Sequence, residues 1–191
     1  VTANWEQAHI KAILEAWFPG EQGGTAVAET LFGDNNPAGR LPITFPRSVG
    51  QIPCHYSRLP GGGWRYVEMD WMPLYPFGYG LSYTRFRYDN LSLSAETIRP
   101  GEPLEVSFDV TNIGDREGTD VPQVYIRDCF SSTVKPVREL AAFTRVTLQP
   151  GETRRVTVTV SPRRMRTLGP DYVWRVEPGE FRIMVGSNSA D

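Results

Sequence analysis

Histidine and cysteine are almost missing from this sequence, with two of each in 191 residues, and the shortage excludes whole classes of chemistry. So few ligands in no metal-type spacing leave nothing to clasp a structural or catalytic metal, and no cofactor motif stands in their place. Cys54 and Cys129 lie far apart in the chain, so they are expected to be free, partly buried thiols rather than a disulfide framework. Long apolar runs are absent too: nothing approaches the ~20 residues of a membrane-spanning helix, and no basic-then-apolar leader opens the chain. Charge of one sign is also lacking. Twenty basic and 22 acidic residues give a net charge of −2, with no basic block to hold nucleic acid or an anionic membrane.

Aromatics are plentiful by contrast, at 12%, and four of them fall in the stretch Pro73-Leu74-Tyr75-Pro76-Phe77-Gly78-Tyr79-Gly80-Leu81-Ser82-Tyr83. A free linker would be polar and flexible. Two prolines remove backbone donors and two glycines permit positive φ or close approach, so regular structure is not expected either. The stretch reads as an ordered strap whose rings pack on a neighbouring body.

Before the strap, Ile10, Ile13, Leu14 and Trp17 follow helical spacing and predict a helix over 6–17, capped by Asn4 and stopped at Pro19-Gly20. A second short helix is predicted over 25–31, with Ala26, Val27, Leu31 and Phe32 on a buried face, and a strand over 41–45. Two helices and one strand cannot bury both faces of anything. Residues 1–50 therefore read as the tail of a larger α/β domain, and the chain as a piece of a longer polypeptide. Residues 51–72 form a loop around Gly61-Gly62-Gly63, with Trp64, Tyr66 and Trp71 as sticky surface.

After the strap the period changes to two. Leu91, Leu93 and Ala95 alternate with polar residues, as do Leu104, Val106, Phe108 and Val110. Residues 121–127, 140–148 and 156–160 continue the pattern, and a hairpin is predicted from 172–176 to 181–185. About seven short strands argue a mainly β fold: an immunoglobulin or fibronectin type III-like β-sandwich over 91–191, preceded by the small α/β remnant over 1–50 and the loop and aromatic-rich strap over 51–90.

Several blocks carry a family resemblance. Phe18-Pro19-Gly20-Glu21-Gln22-Gly23-Gly24, Asn36-Pro37-Ala38-Gly39-Arg40-Leu41-Pro42-Ile43-Thr44-Phe45-Pro46, Gly50-Gln51-Ile52-Pro53 and the strap resemble, in order and spacing, the C-terminal region of glycoside hydrolase family 3, the β-glucosidase and β-xylosidase family. Val134–Val146 and Val176-Glu177-Pro178-Gly179-Glu180-Phe181 are similar to the fibronectin type III-like domain that closes many members. The resemblance spans essentially the whole chain. It implies a parent that is a retaining exo-hydrolase of terminal β-glucosides or related glycosides. It also tilts the location towards secreted or periplasmic, although other members are cytoplasmic.

Such hydrolysis needs two carboxyl groups ~5–5.5 Å apart across the scissile bond. By the resemblance, the nucleophilic aspartate belongs to an N-terminal barrel and the acid/base glutamate to an earlier part of the α/β domain. No stretch here matches either motif, so no catalytic residue is expected. Glu21, Glu29 and Asp34 read as caps or solvated turn residues, Asp70 stays an outside candidate, and Cys54, His55 and Ser57 are neighbours in a loop rather than a triad. The arginines from Arg163 to Arg166 read as a solvated turn or an edge-strand guard. The aromatics are the better lead. Trp17, Tyr75, Phe77 and Tyr79 are expected to dock the pieces of the protein together, while Trp64 and Trp71 are candidates for stacking on a sugar ring. The expected partners are the parent's upstream catalytic domains. A freestanding module that binds β-glucan, an oligosaccharide or a protein through the loop aromatics is the alternative.

Overall fold

The computed structural model describes residues 2–61 and 67–191. Trp64, Tyr66 and most of the glycine run lie outside the described residues. Their expected roles therefore find no structural counterpart here.

The alternating segments become the strands β1 (Phe86–Leu93), β2 (Leu104–Asn112), β3 (Gly118–Asp120), β4 (Gln123–Asp128), β5 (Glu139–Phe143), β6 (Val146–Leu148), β7 (Thr153–Val160), β8 (Thr167–Leu168), β9 (Trp174–Arg175) and β10 (Phe181–Gly186). Two three-stranded sheets, ordered β1-β2-β7 and β10-β4-β5, carry the fold, with the short pairs β3-β6 and β8-β9 beside them. Leu104, Val106, Phe108 and Val110 from β2 meet Val124 and Ile126 from β4 and Val156 and Val160 from β7 in one core. The period-two pattern thus does what it predicts most plainly in β2, where Leu104, Val106, Phe108 and Val110 are sealed in the core and the residues between them are more open; β4 is the exception, buried on both faces from Gln123 to Ile126. Mainly β, with two helices, is the class observed.

Several boundaries move, each for a physical reason. β1 starts at Phe86, and its core-facing residues are Phe86 and Tyr88. Leu91 and Leu93 are exposed, because Asn90 adopts φ 55° and the pairing with β2 slips between Asp89 and Ser92. The run 140–148 splits: β5 joins β4, while β6 crosses to β3. The predicted hairpin from 172–176 to 181–185 does not form. β10 pairs instead with β4 over six residues, and β9 turns back on β8.

The tail departs further. The first helix, α1, is only Asn4–His9, and Ile10 is already extended. A short helix gains its stability from packing, and the stripe Ile10, Ile13, Leu14, Trp17 stays close to half exposed. Ala3 takes the cap position; the Asn4 side chain instead donates to the Arg47 carbonyl at 2.5 Å. The second helix, α2, runs Gly23–Phe32, but it buries Gly23 and Thr30 and exposes Leu31 and Phe32, the reverse of the predicted face. The predicted strand over 41–45 does not form: residues 42 and 43 bend, and Phe45 makes an isolated antiparallel bridge to Tyr75 of the strap.

Candidate functional site at the strap

Proline at 73 and 76 and glycine at 78 and 80 leave the strap short of its own hydrogen bonds, and the tail supplies them. Leu74 N and Phe45 N exchange bonds with the Phe45 and Tyr75 carbonyls at 2.9 Å, and Gly78 N and Leu41 N do the same with Leu41 and Tyr79 at 2.8 Å. On this scaffold Tyr75 stacks on Tyr79 with ring centres 5.1 Å apart, Phe45 tilts against Tyr75 at 6.2 Å, and Trp17 meets Phe45 edge-on at 6.2 Å. Burial pushes the Tyr75 hydroxyl pKa up, with Tyr79 adding to the effect.

Phe77 points the other way. It stacks on Tyr56 with centres 4.3 Å apart, and Tyr56 in turn meets Tyr125 of β4 edge-on at 6.0 Å. The Gly78 carbonyl accepts from Gln123 Nε2 at 3.1 Å, the same amide donates to the Ser187 carbonyl at 2.7 Å, and Tyr125 donates to Gln123 Oε1 at 2.5 Å. Ser189 N closes the set on the Phe77 carbonyl at 2.9 Å. Both faces of β4 are therefore covered: Val124 and Ile126 by the sandwich core, Gln123 and Tyr125 by the strap and its loop. Burial keeps the Tyr125 hydroxyl protonated far above its usual range, so it serves as a donor.

A second tie lies beyond the strap. Arg40, in the Asn36–Pro46 block, ion-pairs with Asp120 of β3 at 2.5 Å, the two side chains being 10% and 1% exposed. Tyr88 of β1 donates to the other carboxylate oxygen at 2.5 Å; burial first, then Asp120, hold that hydroxyl protonated. Asn36 adds three bonds, accepting from Ser82 Oγ and Tyr83 N and donating to the Glu117 carbonyl, each at 2.8 Å. Neither the ion pair nor Tyr56 was singled out from the sequence as a site. Asn36 and Arg40 did stand in the block that carries the resemblance, which was the available signal.

The remaining candidates scatter. Glu21 precedes α2, Glu29 is on it and Asp34 follows it; all three are exposed. Asp70 Oδ1 accepts from Met72 N at 3.0 Å, which is a turn contact. Among the described residues no hydrogen bond joins Cys54, His55 and Ser57, and no group of three or more His, Cys, Asp or Glu is placed to hold a metal. Cys54 and Cys129 are free and half-buried, and burial raises the Cys54 pKa. Trp71 carries the Arg58 guanidinium 4.9 Å from its ring centre. Arg163 and Arg164 lie exposed on a 3-10 turn that buries Met165 beneath them.

Comparison with known proteins completes the picture. Residues 1–83 match the Glycosyl hydrolase family 3 C-terminal domain, and residues 120–189 the Fibronectin type III-like domain. The periplasmic β-glucosidase of Salmonella typhimurium is 42% identical over 97% of this chain and 26% of its own length. A β-xylosidase of Formosa agariphila is 40% identical over 99% of the chain and 27% of its own length. Among solved structures, a β-glucosidase from Erythrobacter marinus superposes with a TM-score of 0.92 at 46% identity, covering 96% of this chain and 24% of that one. One from Listeria innocua in complex with glucose gives 0.94 at 35%, covering 100% and 28%. The chain thus spans about a quarter of the length of the relatives it matches. A tail strapped to a β-sandwich, matched in this way along its whole length, belongs to glycoside hydrolase family 3, as that family's C-terminal region.

Proposed function

We propose that this chain is the non-catalytic C-terminal portion of a β-glycosidase, whose whole form hydrolyses terminal β-glucosides or related glycosides. Its task is to complete the fold and to hold the upstream catalytic domains. The observation that carries this reading is the contrast between the two halves. The sandwich has a sealed core, whereas the tail turns Ile10, Ile13, Leu14, Trp17, Phe18, Leu31 and Phe32 outward. A soluble surface of that kind marks a contact site.

In this reading the chain divides into a tail, 1–50, that docks upstream; a loop and strap, 51–90, that fastens it; and the sandwich, 91–191. Trp17, Tyr75 and Tyr79 stiffen the tail against the strap, and Phe77 fixes the strap to β4. Trp71, beside Arg58, is the loop residue suited to touch an oligosaccharide.

The test is hydrolysis of p-nitrophenyl β-glucoside and β-xyloside by the 191-residue chain, alone and mixed with the separately expressed upstream portion. Silence alone and activity on mixing support the proposal. Turnover by the isolated chain overturns it and returns attention to Glu21, Glu29, Asp34 and Asp70.

A further inference from the structure

At the end of the sandwich remote from the strap, two loops turn apolar side chains to water. β4 runs from Gln123, under the strap, to Asp128, which pairs with Phe181 at the start of β10; at ~3.3 Å per residue the two ends are roughly 17 Å apart. The far end carries Phe130 and Val134 on one loop and Tyr172, Val173 and Trp174 on the β8–β9 turn, all exposed. Tyr172 is 85% accessible and Trp174 60%. Among the described residues neither ring stacks on another.

This display is rigidly built. The loops are joined by Ser131 and Thr133, whose hydroxyls bond Thr167 Oγ1 at 3.0 and 2.9 Å, and by Thr133 Oγ1 on the Leu168 carbonyl at 3.1 Å. Glu177 accepts from Ser132 N at 2.8 Å and Ser132 Oγ at 2.5 Å. In the turn itself Gly169 N and Tyr172 N bond the Val173 and Gly169 carbonyls at 3.0 and 2.9 Å. Asp171 accepts from Val173 N at 3.3 Å and holds the Arg175 guanidinium. Tyr172 sits at φ 60°, a conformation that costs an aromatic residue energy. The fold thus spends strain to hold out a ring that seals nothing.

We propose that this turn is a stacking platform for a neutral β-linked glucan chain, with the Tyr172 and Trp174 rings against sugar faces and Asp171 and Arg175 bonding sugar hydroxyls. Aromatic rings with a polar tip suit this work. The Asp171–Arg175 pair, exposed and flanking the two rings in sequence, offers acceptors and donors together; a carboxylate such as Asp171 is depleted at the centre of protein interfaces. The upstream domains are assigned to the tail, away from this end. The choice of a β-glucan rests on the glycosidase reading, whereas the platform itself rests on the turn.

The experiment is affinity electrophoresis of the full-length parent protein in gels containing soluble mixed-linkage β-glucan, alongside p-nitrophenyl β-glucoside hydrolysis by the same preparation. The expected result is retardation that Trp174→Ala weakens at least fivefold. Tyr172→Gly, which suits φ 60° and relieves the strain, should do the same with an unchanged melting temperature. Absent retardation, or retardation indifferent to both substitutions, overturns the platform. Hydrolysis without retardation defeats it while sparing the glycosidase reading, and retardation without hydrolysis does the reverse. Concentration-dependent self-association that Tyr172→Gly abolishes, with no retardation, assigns the surface to a second copy and overturns the glucan.

Discussion

Arg40 reaches Asp120 across 80 residues of sequence and binds it at 2.5 Å in a nearly water-free setting, with Tyr88 on the carboxylate's other oxygen. The guanidinium comes from the tail, whereas the carboxylate and the Tyr88 hydroxyl that also bonds it come from strands of the sandwich sheets. Breaking a buried pair by removing one member strands the other, which costs about 3–5 kcal/mol. Asp120→Ala should therefore lower the stability of the chain by that amount in urea unfolding. Tyr88→Phe should cost about 1.5–3 kcal/mol, the range for a hydrogen bond to a charged group. A loss under 1 kcal/mol in Asp120→Ala would mean that the pair does not join the halves.

Gly78 offers a different kind of test, since its φ is +81° and an added Cβ would fall 2.0 Å from Gln123 Oε1. Gly78→Ala should displace the Gln123 amide and loosen the strap. The expected penalty is about 1–3 kcal/mol, with near-ultraviolet circular dichroism reporting the Tyr56, Phe77 and Tyr125 cluster. Unchanged stability would show that the strap is not held by this contact.

Asp128 has one carboxylate oxygen that is buried and, among the described residues, without a hydrogen-bond partner. Burial raises its pKa, against the opposing pull of Lys135 and of the backbone hydrogen bond from Phe130, while Glu177 and Glu139 add to the rise. The fold thus favours the neutral carboxyl. Stability is unaffected well below the usual carboxylate range and falls as pH climbs from that range through the raised value. Asp128→Asn should remove that decline and be more stable than the wild type at neutral pH. Parallel pH profiles of the two proteins would refute the assignment.

Two phenylalanines separate the sealed core from the proposed docking surface. Phe108, in the core, should cost about 3–5 kcal/mol on truncation to alanine. Phe18, almost wholly exposed, should change the stability of the 191-residue chain by under about 0.5 kcal/mol on replacement by serine. The same Phe18→Ser change should weaken reconstitution of activity with the upstream portion. Undiminished reconstitution would remove Phe18 from the contact.

The sandwich was legible because its signals are local. Val106, Phe108 and Val110 announce their face by alternation alone. The strap was legible as ordered, since its prolines, glycines and rings left no other outcome. The Ile10–Trp17 stripe misled, because a helical period describes a helix only when its apolar face is covered, and among the described residues these side chains stay close to half open to water. The ties that fasten the tail were illegible for a different reason: Arg40, Asp120, Tyr56 and Gln123 are ordinary polar residues in sequence, and only the fold brings them together.

Because β4 is sealed on one side by the sandwich and on the other by Tyr56 and Phe77, this domain is not a bead that can be snipped out at the limits of its strands. A gene rearrangement that moved residues 91–191 to a new host would leave Phe86 and Tyr88 behind and bare Tyr125 and Gln123 to water. What travels as an inheritable unit is the sandwich together with its strap and the stretch of tail the strap grips.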